Sequence, residues 1–282
     1  MKIGPYKVFP IETGRFALDG GAMFGVVPKN LWNKTNPADD QNRITLAMRC
    51  LLLIGDDGKK ILIDNGMGHK YSDKFAAMYR VDHSEFTLER SLSSLGLTTD
   101  DITDAVLTHL HFDHAGGSTK MDSDGKIVPT FKNAVYYVQK KHYEWGLNAS
   151  EKDRASFLKP DFMPLIEADR LRLVDDANSL FPSIQFFIAH GHSPYQQLPI
   201  VSDGSTAIFF CGDLMPTKTH VSIPYVMAYD NQPLVTIEEK KTVLSNAIEK
   251  KWLLFFEHDP ETALGSVIKD DKGFRFGEEA AV

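Results

Sequence analysis

Apolar periodicity places strands toward both ends of the chain around a more helical middle. Residues 43–54 are rich in apolar side chains, Asp56-Asp57-Gly58 offers a turn, and Lys60-Ile61-Leu62-Ile63-Asp64 opens a second apolar run. This pattern predicts a β-hairpin with Asp64 at a strand end. From Ser84 onward, Leu88, Leu92 and Leu95 recur at helical spacing, and Gly96 is a natural stop. A short strand over Asp104 to Thr108 should follow and end at His109. Residues 121–169 read as a partly helical insertion over a sheet edge, with a strand at Val135 to Val138, a short helix over Gln139 to Gly146, and an interruption from Lys159-Pro160 to Met163-Pro164. Strands then resume at Ile184 to Ala189, Tyr195 to Val201 and Thr206 to Cys211. Thr236 and Glu239 fit a capping box for a helix reaching about Lys250, and Trp252 to Phe256 reads as the final strand.

Composition narrows the class. A chain of 282 residues, 43% hydrophobic and 24% charged, is long enough to bury a large core without staples. The net charge of −7 and the lack of a basic stripe interleaved with aromatics argue against a nucleic-acid partner. No apolar run approaches a membrane span, and the start MKIGPYKVFPIETG lacks a signal-peptide pattern, so the expectation is a cytoplasmic protein with no membrane partner. Cys50 and Cys211 lie in apolar runs and read as buried free thiols, although the sequence leaves open that they meet.

Chemistry enters at the strand ends. His109, His111, Asp113 and His114 fall within one short segment, followed by Gly116-Gly117, which would let the chain turn sharply behind them. Alternate positions of an extended segment share a side, so His109 and His111 diverge from Asp113 and His114 and one segment can serve two ions. Three more predicted strand ends carry His192, Asp213 and His258. Imidazole and carboxylate suit zinc or another borderline first-row ion, and a carboxylate can bridge two of them. No cysteine occupies these positions, which argues against a purely structural zinc knot.

His109-Leu110-His111-Phe112-Asp113-His114-Ala115-Gly116-Gly117 resembles the HxHxDH signature of the metallo-β-lactamase fold superfamily, and His192, Asp213 and His258 match its later ligand positions. The resemblance implies an α+β fold, a four-layer αβ/βα sandwich, formed by a single domain over residues 1–282. It implies that His109, His111 and His192 hold one ion, that Asp113, His114 and His258 hold a second, and that Asp213 bridges them. Zinc is the first expectation for both divalent ions, with iron, manganese, cobalt and nickel also compatible. Such a centre supplies a water deprotonated near neutral pH and polarises the attacked group, so no serine nucleophile is needed. Asp113 and Asp213 are then the expected catalytic carboxylates, Asp113 also orienting the nucleophile and passing its proton to the leaving group. Asp64 resembles a carboxylate that fixes the tautomer of a ligating histidine.

Within the superfamily the chain resembles the N-acyl-homoserine lactonases and the methyl parathion hydrolase-like enzymes. The implied activity is hydrolysis of apolar small-molecule esters or lactones. Alternatives are an organophosphate triester hydrolase, a glyoxalase II-like thioesterase, and a non-catalytic metal-binding protein. The tyrosine that many lactonases carry after the bridging aspartate is absent, the chain reading Asp213-Leu214-Met215-Pro216; Tyr225 and Tyr229 are nearby candidates for similar space. The glycine-rich segment from Leu18 to Pro28, with Met23, Phe24 and Trp32, and the segment Pro224 to Tyr229 are expected to form mobile apolar walls over the metals. A homodimer is the default expectation for any homo-oligomer.

Overall fold

The computed structural model describes residues 1–175 and 180–282. It begins with β1 (Lys2–Ile3), β2 (Tyr6–Asp19), α1 (Gly20–Phe24), α2 (Lys29–Trp32), β3 (Arg43–Gly55), β4 (Lys60–Ile63), α3 (Asp73–Met78), α4 (Leu88–Ser94) and β5 (Asp104–Val106). The middle holds α5 (Phe112–Ala115), β6 (Thr119–Met121), β7 (Ile127–Pro129), β8 (Val135–Gln139), α6 (Lys140–Leu147), α7 (Met163–Glu167) and β9 (Leu171–Val174). Then come β10 (Ile184–Ala189), β11 (Gln196–Ser202), β12 (Ala207–Phe210), α8 (Pro233–Lys250), β13 (Leu253–Phe255), β14 (Leu264–Asp270) and β15 (Gly273–Glu279).

Two sheets carry the architecture. One runs β1-β2-β3-β4-β5-β8-β9 and the other β10-β11-β12-β13-β14-β15. Side-chain alternation explains how they stack. Along β3, Leu51 and Leu53 face the second sheet and pack with Ile208, Phe210 and Phe255, whereas Cys50 and Leu52 face Leu92 of α4 and Leu165 of α7. Phe209 of β12 and Cys211 just after it instead meet Val243 and Leu244 of α8. Helices therefore cover both outer faces and the sheets cover each other, which is the expected four-layer α+β sandwich. Each fully buried Leu or Phe contributes roughly 1.5–3 kcal/mol, so strands buried on both faces read as unbroken apolar runs. Among the described residues no helix is long and apolar enough to cross a membrane.

Several sequence expectations need correction. The stretch 135–139 is not part of an insertion at an edge, because β8 pairs in parallel with β5 on one side and β9 on the other. Trp252 to Phe256 is not the final strand, since β14 and β15 follow as a hairpin. Their exposed Lys269, Asp270, Arg275 and Glu278 hide the strand pattern, as charges on an edge hairpin do. Thr236 and Glu239 form no capping box. Pro233 starts α8, its fixed φ suiting the first helical position, and Glu239 instead accepts from the backbone N–H groups of His190 (2.6 Å) and Gly191 (3.1 Å). The helix expected from Ser84 starts at Leu88, where Thr87 caps it by accepting from Arg90 N. Cys50 and Cys211 are buried free thiols, whose pKa burial raises.

Candidate metal centre

Strand direction brings the motif residues to one edge. β4, β5 and β8 run parallel, as do β12 and β13, and β10 is antiparallel to β11, which is antiparallel to β12. The C-terminal ends of β5, β10, β12 and β13 thus deliver His109, His192, Asp213 and His258 to the same side. The sheets are pinned together there: Gln197 N donates to Thr108 O (2.9 Å), Ala47 N to His258 O (3.0 Å) and Arg49 N to Glu257 O (3.1 Å). Arg49, nearly fully buried, also donates from Nη1 to the carbonyls of Phe256, Asp259 and Thr262 and pairs with Glu12, which holds the loop around His258 in place.

The glycines after the motif serve close approach rather than the sharp turn expected of them. Gly116 and Gly117 lie where a Cβ would meet Met67 O at 2.4 Å and Asn65 O at 1.9 Å. Only glycine lets α5 sit against the strand end after Asp64. Asp64 itself has φ +53°, and its carboxylate accepts from Thr108 N (2.7 Å) and Thr108 Oγ1 (2.7 Å), which holds the conformation.

All seven motif residues converge in two groups of potential ligands. The first comprises His109, His111, His192 and Asp213, and the second Asp113, His114 and His258. His111 Nδ1 lies 3.0 Å from His109 Nε2 and 3.2 Å from His192 Nε2, while His192 Nε2 lies 3.1 Å from Asp213 Oδ2. His258 Nε2 lies 3.2 Å from both His114 Nε2 and Asp213 Oδ1. Asp213 thus reaches both groups, Oδ2 facing His192 and, at 3.5 Å, His114 Nε2, while Oδ1 faces His258. Asp113 Oδ2 stands 3.6 Å from His258 Nε2.

Proton placement shows that these groups fit a cation. Thr108 Oγ1 gives its proton to Asp64 and so accepts from His109 Nδ1 (3.0 Å), a nitrogen that Gln196 Nε2 also approaches at 3.2 Å; the tautomer that satisfies Thr108 leaves the lone pair on His109 Nε2. His192 Nδ1 faces Asp230 Oδ1 at 3.0 Å, which likewise turns a bare Nε2 inward. Imidazole nitrogens this close, with at most one proton among three, repel unless a cation sits between them. Tetrahedral zinc with Zn–N bonds of about 2.05 Å needs ligand edges of about 3.3 Å, close to the spacings seen.

Titration behaviour divides the groups. Burial, reinforced by the neighbouring imidazoles, holds His109 and His111 well below the usual histidine range. Burial also opposes charge on His258, but Asp213 outweighs it and lifts the ring to about 9. His114 is also raised well above the usual histidine range, Glu257, Asp213 and Asp113 outweighing the same burial. Asp213 is held well below its usual value because His114, His192 and His258 overcome its desolvation. A third set, Asp64, His114 and Glu257, uses the opposite nitrogen of His114, with Nδ1 at 3.1 Å from Asp64 and 3.0 Å from Glu257. Burial pushes Glu257 up to about 8, so this set reads as hydrogen bonding around an imidazole rather than a cation seat.

A cavity of about 90 Å³ opens over the centre, lined by His111, Asp113, His192, Asp213 and His258 of the ligand set, by Leu18, Met23, Phe112, Met227, Tyr79 and Tyr229, and by the polar Lys152, Asp153 and Ser156. The expected walls are half right. Leu18, Met23 and Tyr229 line the cavity, but Phe24 and Trp32 stack behind it (5.3 Å) and Tyr225 packs edge-on against Phe24 (5.9 Å). The N-terminal segment is also no loose loop: Asp19 caps α1 by accepting from Ala22 N, and His220 is hydrogen-bonded to Met23 O at 2.8 Å. Tyr79, Lys152, Asp230 and Glu257 escaped the sequence reading, since each stands alone in a loop or at a helix or strand end without a motif. His142 contrasts with the ligands: Nε2 accepts from Leu110 N (2.9 Å) and Nδ1 faces Pro194 O (2.8 Å), a fully satisfied core histidine.

Residues 50–254 match the model of the metallo-β-lactamase superfamily. The chain belongs to that superfamily. An N-acyl homoserine lactonase of Bacillus cereus is 25% identical over 272 residues, covering 92% of this chain and 95% of its own. The crystal structure of a probable metal-dependent hydrolase from Staphylococcus aureus superposes with a TM-score of 0.87 at 28% identity, covering 100% of both chains. AidC, a dizinc quorum-quenching lactonase solved with a product homoserine, gives 0.80 at 23% identity over 100% of this chain and 97% of its own, a likeness of fold. The protein is thus a dinuclear metal-binding member of a hydrolase superfamily whose relatives include lactonases.

Proposed function

We propose that this protein is a dizinc hydrolase of apolar lactones, N-acyl-homoserine lactones in particular, with open-chain esters as secondary substrates. The observation that carries the reading is the cavity, in which a mainly apolar wall of Leu18, Met23, Phe112 and Met227 stands directly over Asp113, Asp213 and the ligand histidines. An acyl chain finds apolar area along the sides while a polar ring or ester group reaches the floor. The lactonase relative from Bacillus cereus supports the same substrate class.

In this reading His109, His111 and His192 would hold one ion and Asp113, His114 and His258 the other, with Asp213 placed within reach of both. Bound ions supply a water that ionises near neutral pH and a Lewis acid for the carbonyl. The chain's own groups do the rest. Asp113, its carboxylate lining the cavity, orients the nucleophile and carries a proton to the departing alkoxide oxygen. The Tyr229 phenol, kept protonated chiefly by burial, lines the wall beside Tyr79 and can donate to a substrate carbonyl. Phe112 and Met227 exclude bulk water.

A kinetic panel on zinc-loaded protein tests this. It comprises homoserine lactones of rising acyl length, a simple γ-lactone, an aryl ester, a methyl phosphotriester, a glutathione thioester and a cephalosporin. The expected result is kcat/KM rising with acyl length and weak turnover of the cephalosporin. Preference for the thioester or the phosphotriester, or inactivity throughout in fully metallated protein, sinks the substrate assignment.

A further inference from the structure

Asp230 lies outside the seven-residue set, yet its carboxylate is buried against it. Oδ1 stands 3.0 Å from His192 Nδ1, and Oδ2 accepts from Met227 N at 3.2 Å, so both oxygens are fixed. A neutral imidazole has one N–H. With that proton directed at Asp230, the lone pair of His192 Nε2 faces His111 and Asp213. The next residue grips the same histidine from behind: Asn231 N and Nδ2 both donate to His192 O at 3.1 Å, and Nδ2 also donates to Asp153 at 2.7 Å.

The stretch that carries Asp230 also carries the cavity wall, because Met227 and Tyr229 line it. It is tied at several points. Lys240 of α8 is buried and donates to the carbonyls of Ser222 (2.8 Å), Ile223 (3.3 Å) and Tyr225 (2.8 Å). Ala228 N donates to Ala22 O (2.8 Å), and Lys152 Nζ to Tyr229 O (2.6 Å). A shift of the Tyr229 main chain therefore moves the neighbouring carboxylate on His192, since the segment is clamped on either side.

We propose that Asp230 is a positioning residue for the first ligand group: it sets the tautomer and angle of His192, and it couples the substrate wall at Met227 and Tyr229 to the ion held there. Carboxylates that receive the far N–H of a ligating histidine typically account for 10–100-fold in metal affinity. The inference rests on the two-ion reading of the site but not on the substrate.

Zinc affinities of wild type, Asp230→Asn, Asp230→Ala and Tyr229→Ala, measured by chelator competition and assigned to sites by anomalous difference maps, test it. In wild type two ions are expected. Asp230→Ala should weaken the ion at His109, His111 and His192 by about 10–100-fold while the ion at Asp113, His114 and His258 changes little. Asp230→Asn keeps the shape and an acceptor oxygen and should fall between, which a purely space-filling role would not produce; it also serves if Asp230→Ala fails to fold. Tyr229→Ala carries no ligand atom and should shift the same constant in the same direction by a smaller factor. Unchanged affinity in both Asp230 variants, or equal weakening at both sites, overturns the positioning role, and an unmoved constant in Tyr229→Ala overturns the coupling. A wild type that binds no metal would instead defeat the two-ion reading itself.

Discussion

The floor of the cavity and its walls are built by different physics. On the floor, four ligand rings have their outward nitrogen engaged: His109 by Thr108 (3.0 Å), His114 by Asp64 (3.1 Å), His192 by Asp230 (3.0 Å) and His258 by Ala47 O (2.8 Å). The walls of Leu18, Met23, Phe112 and Met227 are held by packing, which has no direction. Directional bonds fix groups whose placement decides whether chemistry occurs, and small errors there are costly. Packing grades selectivity instead. Substitutions should therefore act steeply on the floor and gently on the walls.

The steepest effect belongs to Asp213, which reaches both ligand groups. Asp213→Ala should cut kcat by on the order of 10³-fold and lower zinc content below two per chain, because two nearby cations lose their shared negative charge. Near-normal kcat with two bound ions would show that the carboxylate does not bridge. One step out, Asp64→Asn keeps the shape but withdraws charge from His114 and Thr108. It should weaken the ion at Asp113, His114 and His258 by about 10–100-fold, read by chelator competition. A loss confined to the ion at His109, His111 and His192 would show that Asp64 acts through Thr108 and not through His114.

Within the floor, pH should separate the two groups. In the metal-free protein His258 stays protonated up to about 9 and His114 is raised in the same direction, so an ion must displace those protons. Below pH 9 the affinity of that site should fall by about tenfold or more per pH unit. His109 and His111, held low by burial, have no proton to release near neutrality. The sign carries over to stability. His258 has its pKa raised on folding from an unfolded value of about 6.5, so its contribution to the metal-free protein is complete below pH 6.5 and lost as pH rises through about 9. The gap in Tm between metal-loaded and metal-free protein should narrow as pH falls from 9 to 6.5. A gap that is constant, or widens, would contradict the assigned protonation.

The same division explains what the sequence revealed. The ligands were legible because several of one chemical kind stand in a short segment after an apolar run, and because the runs before His192, Asp213 and His258 are strongly apolar, β12 being buried along its whole length. Asp230 and Glu257 were not, since an isolated carboxylate near the end of a loop or a strand looks like any other until the fold places it 3.0 Å from a ligating ring. β2 escaped for a related reason: Pro10 and the Glu12 to Arg15 bulge break the alternation that marks a long strand. The wall was legible only as composition. Glycine and apolar residues between Leu18 and Pro28 indicated apolar surface near the metals, but not that Phe24 and Trp32 would turn inward to stack while Leu18 and Met23 faced the cavity.

The smallest expected effect is at that wall, and it is the one that reads substrate preference. Leu18→Ala and Met23→Ala each remove a few methylene-sized groups from the cavity side without touching a ligand. A methylene in an apolar pocket is worth roughly 1–3 kcal/mol when fully gripped, and an open, solvent-sharing wall grips less, so about tenfold or less in kcat/KM is expected. The loss should appear in KM for long-chain homoserine lactones and be nearly absent for a simple γ-lactone, whose ring reaches the floor but not the wall. Tyr225→Phe is the control, because Tyr225 packs on Phe24 outside the cavity and should leave both substrates unaffected. Equal losses on the long-chain lactone and the bare γ-lactone in Leu18→Ala would mean that the side chain acts on the floor, erasing the distinction between a floor that fixes chemistry and a wall that selects among substrates.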